Sequence, residues 1–154
     1  MNTTSSNLTQ SQMMIWMGQQ MSPSEPLYNM VLTFEIKGEI EFSIFEKAFQ
    51  ELVNQNDVLR SFIELRNDIP VQVFRDHIDS PLEYKDFSNS SDATKDFLTW
   101  VEEHKLKLFE NGRLLYHAVL FKISHKKYTL YFNQHHLITD GWSMKYLYDE
   151  LNKN

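Results

Sequence analysis

The chain of 154 residues contains no cysteine. A disulfide framework, a thiolate metal site and a cysteine-linked acyl intermediate are therefore excluded. Glycine and proline are scarce, four of each, which excludes a collagen-like or linker-rich polypeptide. Fifteen basic residues stand against twenty-one acidic ones, for a formal charge of -6. Without a basic cluster to neutralise phosphates, nucleic acid is not an expected partner. No apolar run approaches the roughly 18 residues that a membrane span requires. Residues 1–10 are polar and uncharged and lack the basic and apolar regions of a signal peptide. The expectation is a soluble, cytoplasmic protein with no membrane association.

What is present points to one folded domain. The length suits a single core, and 42% hydrophobic with 14% aromatic residues supply it. Residues 1–7 are expected to be disordered and the domain to run from 8 to 154. Thr9 and Gln12 form a capping-box pattern, with Leu8 and Met13 as a hydrophobic staple, which predicts a helix to about Gln20. Alternation over 28–37 predicts a strand. Ser43 and Glu46 give a second capping-box pattern. Ile44, Phe45, Ala48, Phe49, Leu52 and Val53 then share one helical face.

A hairpin is predicted from strands near Ser61–Arg66 and Val71–Arg75 about a turn at Asn67-Asp68. A short strand at Leu82–Asp86 and a helix at Ala93–Leu106 follow. Two long strands, Leu114–Ile123 and Lys127–Gln134, join through Ser124-His125-Lys126. A last helix covers Trp142–Leu151. Alternating helices and strands without repeat or linker imply one layered α/β unit, a mixed sheet with flanking helices.

The chemistry concentrates in Asn133-Gln134-His135-His136-Leu137-Ile138-Thr139-Asp140-Gly141-Trp142-Ser143, where a strand breaks into a loop and then a helix. Imidazole titrates near neutrality, so a histidine fixed there can hold or move a proton. Strand geometry sends His135 and His136 to opposite faces. Sharing one metal would then need a sharp break, and no His-x-x-x-His or carboxylate-rich partner lies nearby, so no metal site is expected. The blander alternative packs one histidine in the core and leaves the other solvated. Asp140-Gly141 equally reads as a turn before a helix whose N-terminus favours negative charge. Ser143 lies at a strand-to-helix turn, but the closing glycine of a nucleophile elbow is missing. His77, His104, His117 and His125 are scattered and read as ordinary residues.

The arrangement His135-His136-x-x-x-Asp140-Gly141 resembles the signature of the condensation-domain acyltransferases of nonribosomal peptide synthesis. Two further segments carry the same resemblance in order. Leu8 to Trp16, followed by Pro26-Leu27-Tyr28-Asn29, is similar to the family's opening helix. Leu59-Arg60-Ser61-Phe62 is similar to its Leu-Arg-Ser/Thr-x-Phe segment. Departures are Ser11 for alanine, Met14 for arginine, and Gly112-Arg113-Leu114 for Gly-Pro-Leu. Both histidines beside Asp140 argue against the cyclising branch, which carries two aspartates there.

The resemblance implies a chloramphenicol-acetyltransferase-like fold of which this chain covers the N-terminal half. An ending flush with the last helix also suggests a piece of a longer domain. The implied reaction joins a donor acyl thioester to an acceptor amine. Both ride on phosphopantetheine arms of peptidyl or acyl carrier proteins, and no cofactor is bound by the chain itself. His136 is the implied catalytic residue, as base or as positioner, and Gly141 would offer its backbone N–H to the oxyanion. Asp140 would pair with a buried Arg60 to hold the loop, and His135 would support it. Substitution of either pair member is then expected to reduce folded protein. The alternatives are a non-catalytic half-domain that binds a carrier or partner subunit, a homodimer that rebuilds the tunnel, and a fragment of the epimerising relative.

Overall fold

The computed structural model describes residues 3–79 and 82–151. In chain order its elements are β1 (Thr3–Asn7), α1 (Gln10–Met21), β2 (Asn29–Lys37), α2 (Phe42–Gln55), a 3-10 turn at Asp57–Arg60, β3 (Ser61–Arg66), β4 (Ile69–Arg75), β5 (Leu82–Asp86), α3 (Ala93–His104), β6 (Tyr116–Ser124), β7 (Lys127–His135) and α4 (Gly141–Leu151). Four strands form the main sheet in the order β2-β7-β6-β5, and three form a smaller sheet in the order β1-β4-β3. The main sheet is mixed: β5 runs parallel to β6, and the other pairs are antiparallel.

Period-two alternation along β6 and β7 sorts side chains onto two buried faces. Leu120, Leu130 and Phe132 join Phe49, Leu52 and Val53 of α2, with Leu147 of α4, in one cluster. Val119, Phe121 and Tyr131 meet Phe97 and Trp100 of α3 in the other. Because both faces are covered, β7 is buried from Tyr128 to His135, and its C-terminal end becomes a rigid platform. The expected mixed sheet with flanking helices is present, extended by the small second sheet.

Two expectations need correction. Residues 3–7 are not disordered: β1 pairs with β4 from Thr3↔Arg75 to Asn7↔Val71. Its five residues are all exposed, so backbone pairing to a strand edge holds them and no buried side chain marks them. Met1 and Asn2 lie outside the described residues, as do 152–154 at the other end of the expected domain. At the second helix the Ser43/Glu46 box does not form. The helix begins at Phe42 after Glu41, without a side-chain cap, and Ser43 donates its hydroxyl to the Glu41 carboxylate at 2.6 Å.

Candidate active site

The predicted helix start at Thr9 carries more than a cap. Gln12 accepts the Thr9 N–H at 2.9 Å and donates its own backbone N–H to the Thr9 hydroxyl at 3.2 Å, completing the capping box. The Gln12 Nε2 also donates to the Leu137 carbonyl at 2.9 Å and to Gln72 Oε1 at 3.1 Å. One side chain therefore fixes the start of α1 and the turn after β7 together. The sequence pattern marks only the first of these roles.

The turn is anchored by the residues that lead into both neighbouring strands, β6 and β2. The His135 N–H donates to the Leu115 carbonyl and the His136 N–H to the Tyr28 carbonyl, each at 2.8 Å. Ile138 N–H closes the turn onto the His135 carbonyl at 3.0 Å. The two imidazoles then part company. His135 is 4% exposed, with its ring tilted against Tyr28 and edge-on to Phe109. Its Nδ1 accepts the Leu137 N–H at 3.1 Å, so the proton of the neutral ring sits on Nε2. Burial, and secondarily the neighbouring His136, pushes its pKa down to about 4. His136 is half-buried, and its ring makes no hydrogen bond to a described side chain or backbone group.

Asp140 is the N-cap of α4. Its Oδ1 accepts both the backbone N–H and the hydroxyl of Ser143 at 2.7 Å, which employs Ser143 as a cap partner. These bonds, chiefly the backbone one, hold the Asp140 carboxyl below the usual carboxylate range, with a smaller contribution from His136. Gly141 follows as the first helical residue, where an N–H has no partner within the helix. A Cβ there would meet nothing within 4 Å, so this glycine faces open space.

The expected Asp140–Arg60 pair does not form. Arg60 is buried, and its guanidinium is committed elsewhere. Nε donates to the Val53 carbonyl at 3.1 Å, one terminal nitrogen to the carbonyls of Arg75 and Asp76, and the other to the Asp57 carboxylate. It thus ties the end of α2 to the end of β4, while Asp140 caps a helix at the surface. Arg60 supports the fold and does not touch the histidine loop. Among the described residues no three metal-binding side chains come together.

Tyr28, within the Pro26-Leu27-Tyr28-Asn29 segment, is a further support of the loop. Besides its carbonyl bond to His136, its hydroxyl lies 2.1 Å from where a Cβ on Gly18 would stand. Gly18 is therefore the residue that lets α1 close on Tyr28, and Tyr28 in turn packs against His135. The two helices that flank the loop also carry an apolar surface: Met14, Met17 and Met21 on α1, and Trp142 and Tyr146 on α4, are exposed. No described helix is long and apolar enough to cross a membrane.

The chain is thus a two-sheet α/β unit that presents His135-His136-x-x-x-Asp140-Gly141 at the end of a strand, and its comparisons with known proteins agree on one family. The condensation-domain family model matches residues 2–154, so the chain belongs to the condensation-domain family. It is 28% identical over 137 residues to a dimodular nonribosomal peptide synthase of Bacillus subtilis (strain 168), covering 88% of this chain and 6% of that protein. It is 30% identical over 124 residues to gramicidin S synthase 2 of Aneurinibacillus migulanus, covering 80% and 3%. Among solved structures, the starter condensation domain of rhizomide synthetase matches with a TM-score of 0.87 at 23% identity, over 96% of this chain and 38% of that one. The first condensation domain of the calcium-dependent antibiotic synthetase, bound to a substrate analogue, matches with a TM-score of 0.87 at 22% identity, over 96% and 36%. The fold is thus the condensation-domain, chloramphenicol-acetyltransferase-like one. The chain spans little more than a third of those structures and a few per cent of the synthetases.

Proposed function

We infer that this chain is the catalytic-loop half, residues 8–154, of a condensation domain that forms an amide bond in nonribosomal peptide synthesis. The observation that carries this reading is the contrast at the end of β7. There His136 is held by its backbone, its ring making no hydrogen bond to the described residues, beside a His135 that burial keeps neutral. The donor would be an acyl or aminoacyl thioester and the acceptor an amine, each on a phosphopantetheine arm of a carrier protein. The working compartment is the cytoplasm, where such carriers are loaded.

In this mechanism the amine nitrogen attacks the thioester carbonyl carbon and the carbon–sulfur bond breaks. The excess proton leaves the nitrogen, and the departing sulfur ends as a thiol. His136 accepts or positions that proton, an effect worth about 10² to 10⁴ in rate. The N–H of Gly141, which starts α4 and has no partner within that helix, would be offered to the developing oxyanion. Asp140 holds that helix end in place through its cap. Since the amine attacks directly, no enzyme-bound acyl group is required, in keeping with the absence of cysteine.

The exposed apolar residues of α1 and α4 support a second half, or a second copy, closing over the loop. They equally favour a rival reading, a half-domain that binds a carrier without turnover. The test is mass spectrometry of loaded donor and acceptor carriers after incubation with the full-length protein. Elongated product on the acceptor arm is the expected result. Carrier binding with no transfer at any loading would replace catalysis with the binding reading.

A further inference from the structure

The turn that carries His136 is the end point of a chain of hydrogen bonds that begins in the small sheet. At the far end the Ser61 hydroxyl, at the start of β3, donates to the Val58 carbonyl at 2.8 Å. Gln72 of β4 donates its Nε2 to that hydroxyl oxygen at 2.9 Å. Gln12 of α1 donates its Nε2 to Gln72 Oε1 at 3.1 Å and to the Leu137 carbonyl at 2.9 Å. Leu137 is the residue next to His136.

The direction of every bond is fixed from the ends. A carbonyl only accepts, so Val58 and Leu137 each require a donor, and the Thr9 N–H requires an acceptor. Gln12 meets the Thr9 N–H with Oε1 at 2.9 Å, which commits its Nε2 hydrogens to Leu137 and Gln72. Turning over the Gln12 carboxamide would set its oxygen against the Leu137 carbonyl. Turning over that of Gln72 would set its nitrogen against the Gln12 nitrogen. Ser61 and Gln72 are 1% and 5% exposed, so each bond here replaces one to water and is costly to leave unmade.

Gln72 is itself clamped, paired with Ser6 of β1 on one side and Ile63 of β3 on the other. Its side chain therefore carries the position of the small sheet to Gln12. From the main-sheet side, the His136 N–H is held on the Tyr28 carbonyl and the Leu137 N–H on His135 Nδ1. Those bonds hold N–H groups of the turn, and Gln12 holds a carbonyl. The backbone on which His136 stands is thus set from both sheets.

We propose that Gln12 is a positioning residue for His136, and that Gln72 and Ser61 act through it to tie the imidazole's placement to the small sheet. This rests on the reading in which His136 handles the amine proton. Misplacing a reacting group by about 1 Å can cost about 10²-fold in rate, so a loosened turn is read first in kcat.

Gln12→Glu separates this role from helix capping. Glutamate is a standard partner in a capping box, and its charge suits a helix N-terminus, so the start of α1 is kept. A carboxylate has no hydrogen for the Leu137 carbonyl or for Gln72. The experiment measures amide formation between loaded carriers by the full-length protein, with kcat, KM and melting temperature read on the same preparation. Gln12→Glu is expected to lower kcat about tenfold or more, with KM changed less than about twofold and little change in melting temperature. Gln72→Met leaves the cap untouched and is expected to lower kcat about threefold or more. It gives the same readout should Gln12→Glu misfold. In a His136→Ala background, Gln12→Glu is expected to cost less than about twofold further, because the group it places is gone.

Unchanged kcat in Gln12→Glu, an effect on KM alone, or a full loss that persists without His136 would overturn the proposal. A fall in kcat with Gln12→Glu but not with Gln72→Met would overturn the link to the small sheet. If His136→Ala turns over at the unaltered rate, the reading of the loop falls and this proposal with it. If His136→Ala is slow while Gln12→Glu is not, only this proposal falls.

Discussion

On the α3 side of β7, His135 follows Asn133 and Tyr131 into a region sealed by aromatic rings, where burial keeps the imidazole neutral and a backbone N–H fixes its tautomer. One residue later, His136 stands in the turn, half-buried and with no hydrogen bond from its ring to the described residues. No difference in residue type separates them; the chain path does, because β7 ends at His135 and His136 is the first residue of the turn that follows. The comparison teaches that the doubled histidine places its two rings in different surroundings, which is what the proposed division of labour requires. His135 belongs to the wall that fixes the loop, and His136 to the space in front of it.

The sharpest way to break this comparison is to remove each ring in turn. His136→Ala in the full-length protein is expected to slow amide formation about 10² to 10⁴-fold with little change in melting temperature, by turnover and thermal melting on the same preparation. A variant that melts early and turns over normally when folded would exchange the two roles. Next in size is Arg60→Ala. It leaves three carbonyls and the Asp57 carboxylate without their donor and is expected to cost about 3 kcal/mol or more, read by denaturant unfolding.

The medium around His135 makes a third, pH-dependent prediction. Its folded pKa of about 4 lies below the ordinary 6.5, so between those values the unfolded chain binds a proton that the folded chain refuses. Stability conferred by the neutral ring is complete above about pH 6.5 and falls as pH drops towards 4, by about 3 kcal/mol in all. His117, whose pKa burial also lowers against the pull of Glu83, adds to the loss in the same direction. Equilibrium unfolding across pH 4 to 7 checks the slope, and its loss in a His135→Leu variant assigns it.

The smallest effect is expected at Asp140. Asp140→Ala removes an exposed cap and should cost about 1 kcal/mol, far less than Arg60→Ala. Because the two residues share no partner, the double variant should lose the sum of the two single losses. A coupling above about 1 kcal/mol would restore the pair that the sequence suggested.

Local signals in the sequence translated well. The Thr9/Gln12 cap, the Asn67-Asp68 turn with its two positive φ angles, and the strand-to-helix break at His135–Gly141 all lie within a few residues of their cause. β1 stayed hidden because a fully exposed run of Thr, Ser and Asn pairs by backbone alone and leaves no alternation to read. Arg60 braces the end of α2 against β4 and Asp140 caps α4, and which carboxylate Arg60 meets is decided by chain path. The supports that matter most to the loop, Gln12 on Leu137 and Gly18 beneath Tyr28, involve surfaces that meet only after folding.

The division of labour is tested most directly by following the ring nitrogens of His135 and His136 by nitrogen-15 NMR as a function of pH. The account predicts that His135 keeps its proton on Nε2, with Nδ1 bare, and stays neutral down to about pH 4. A His135 that titrates near 6.5, or that carries its proton on Nδ1, would mean that the ring is not locked in the wall, and the contrast on which the assignment of His136 rests would be lost.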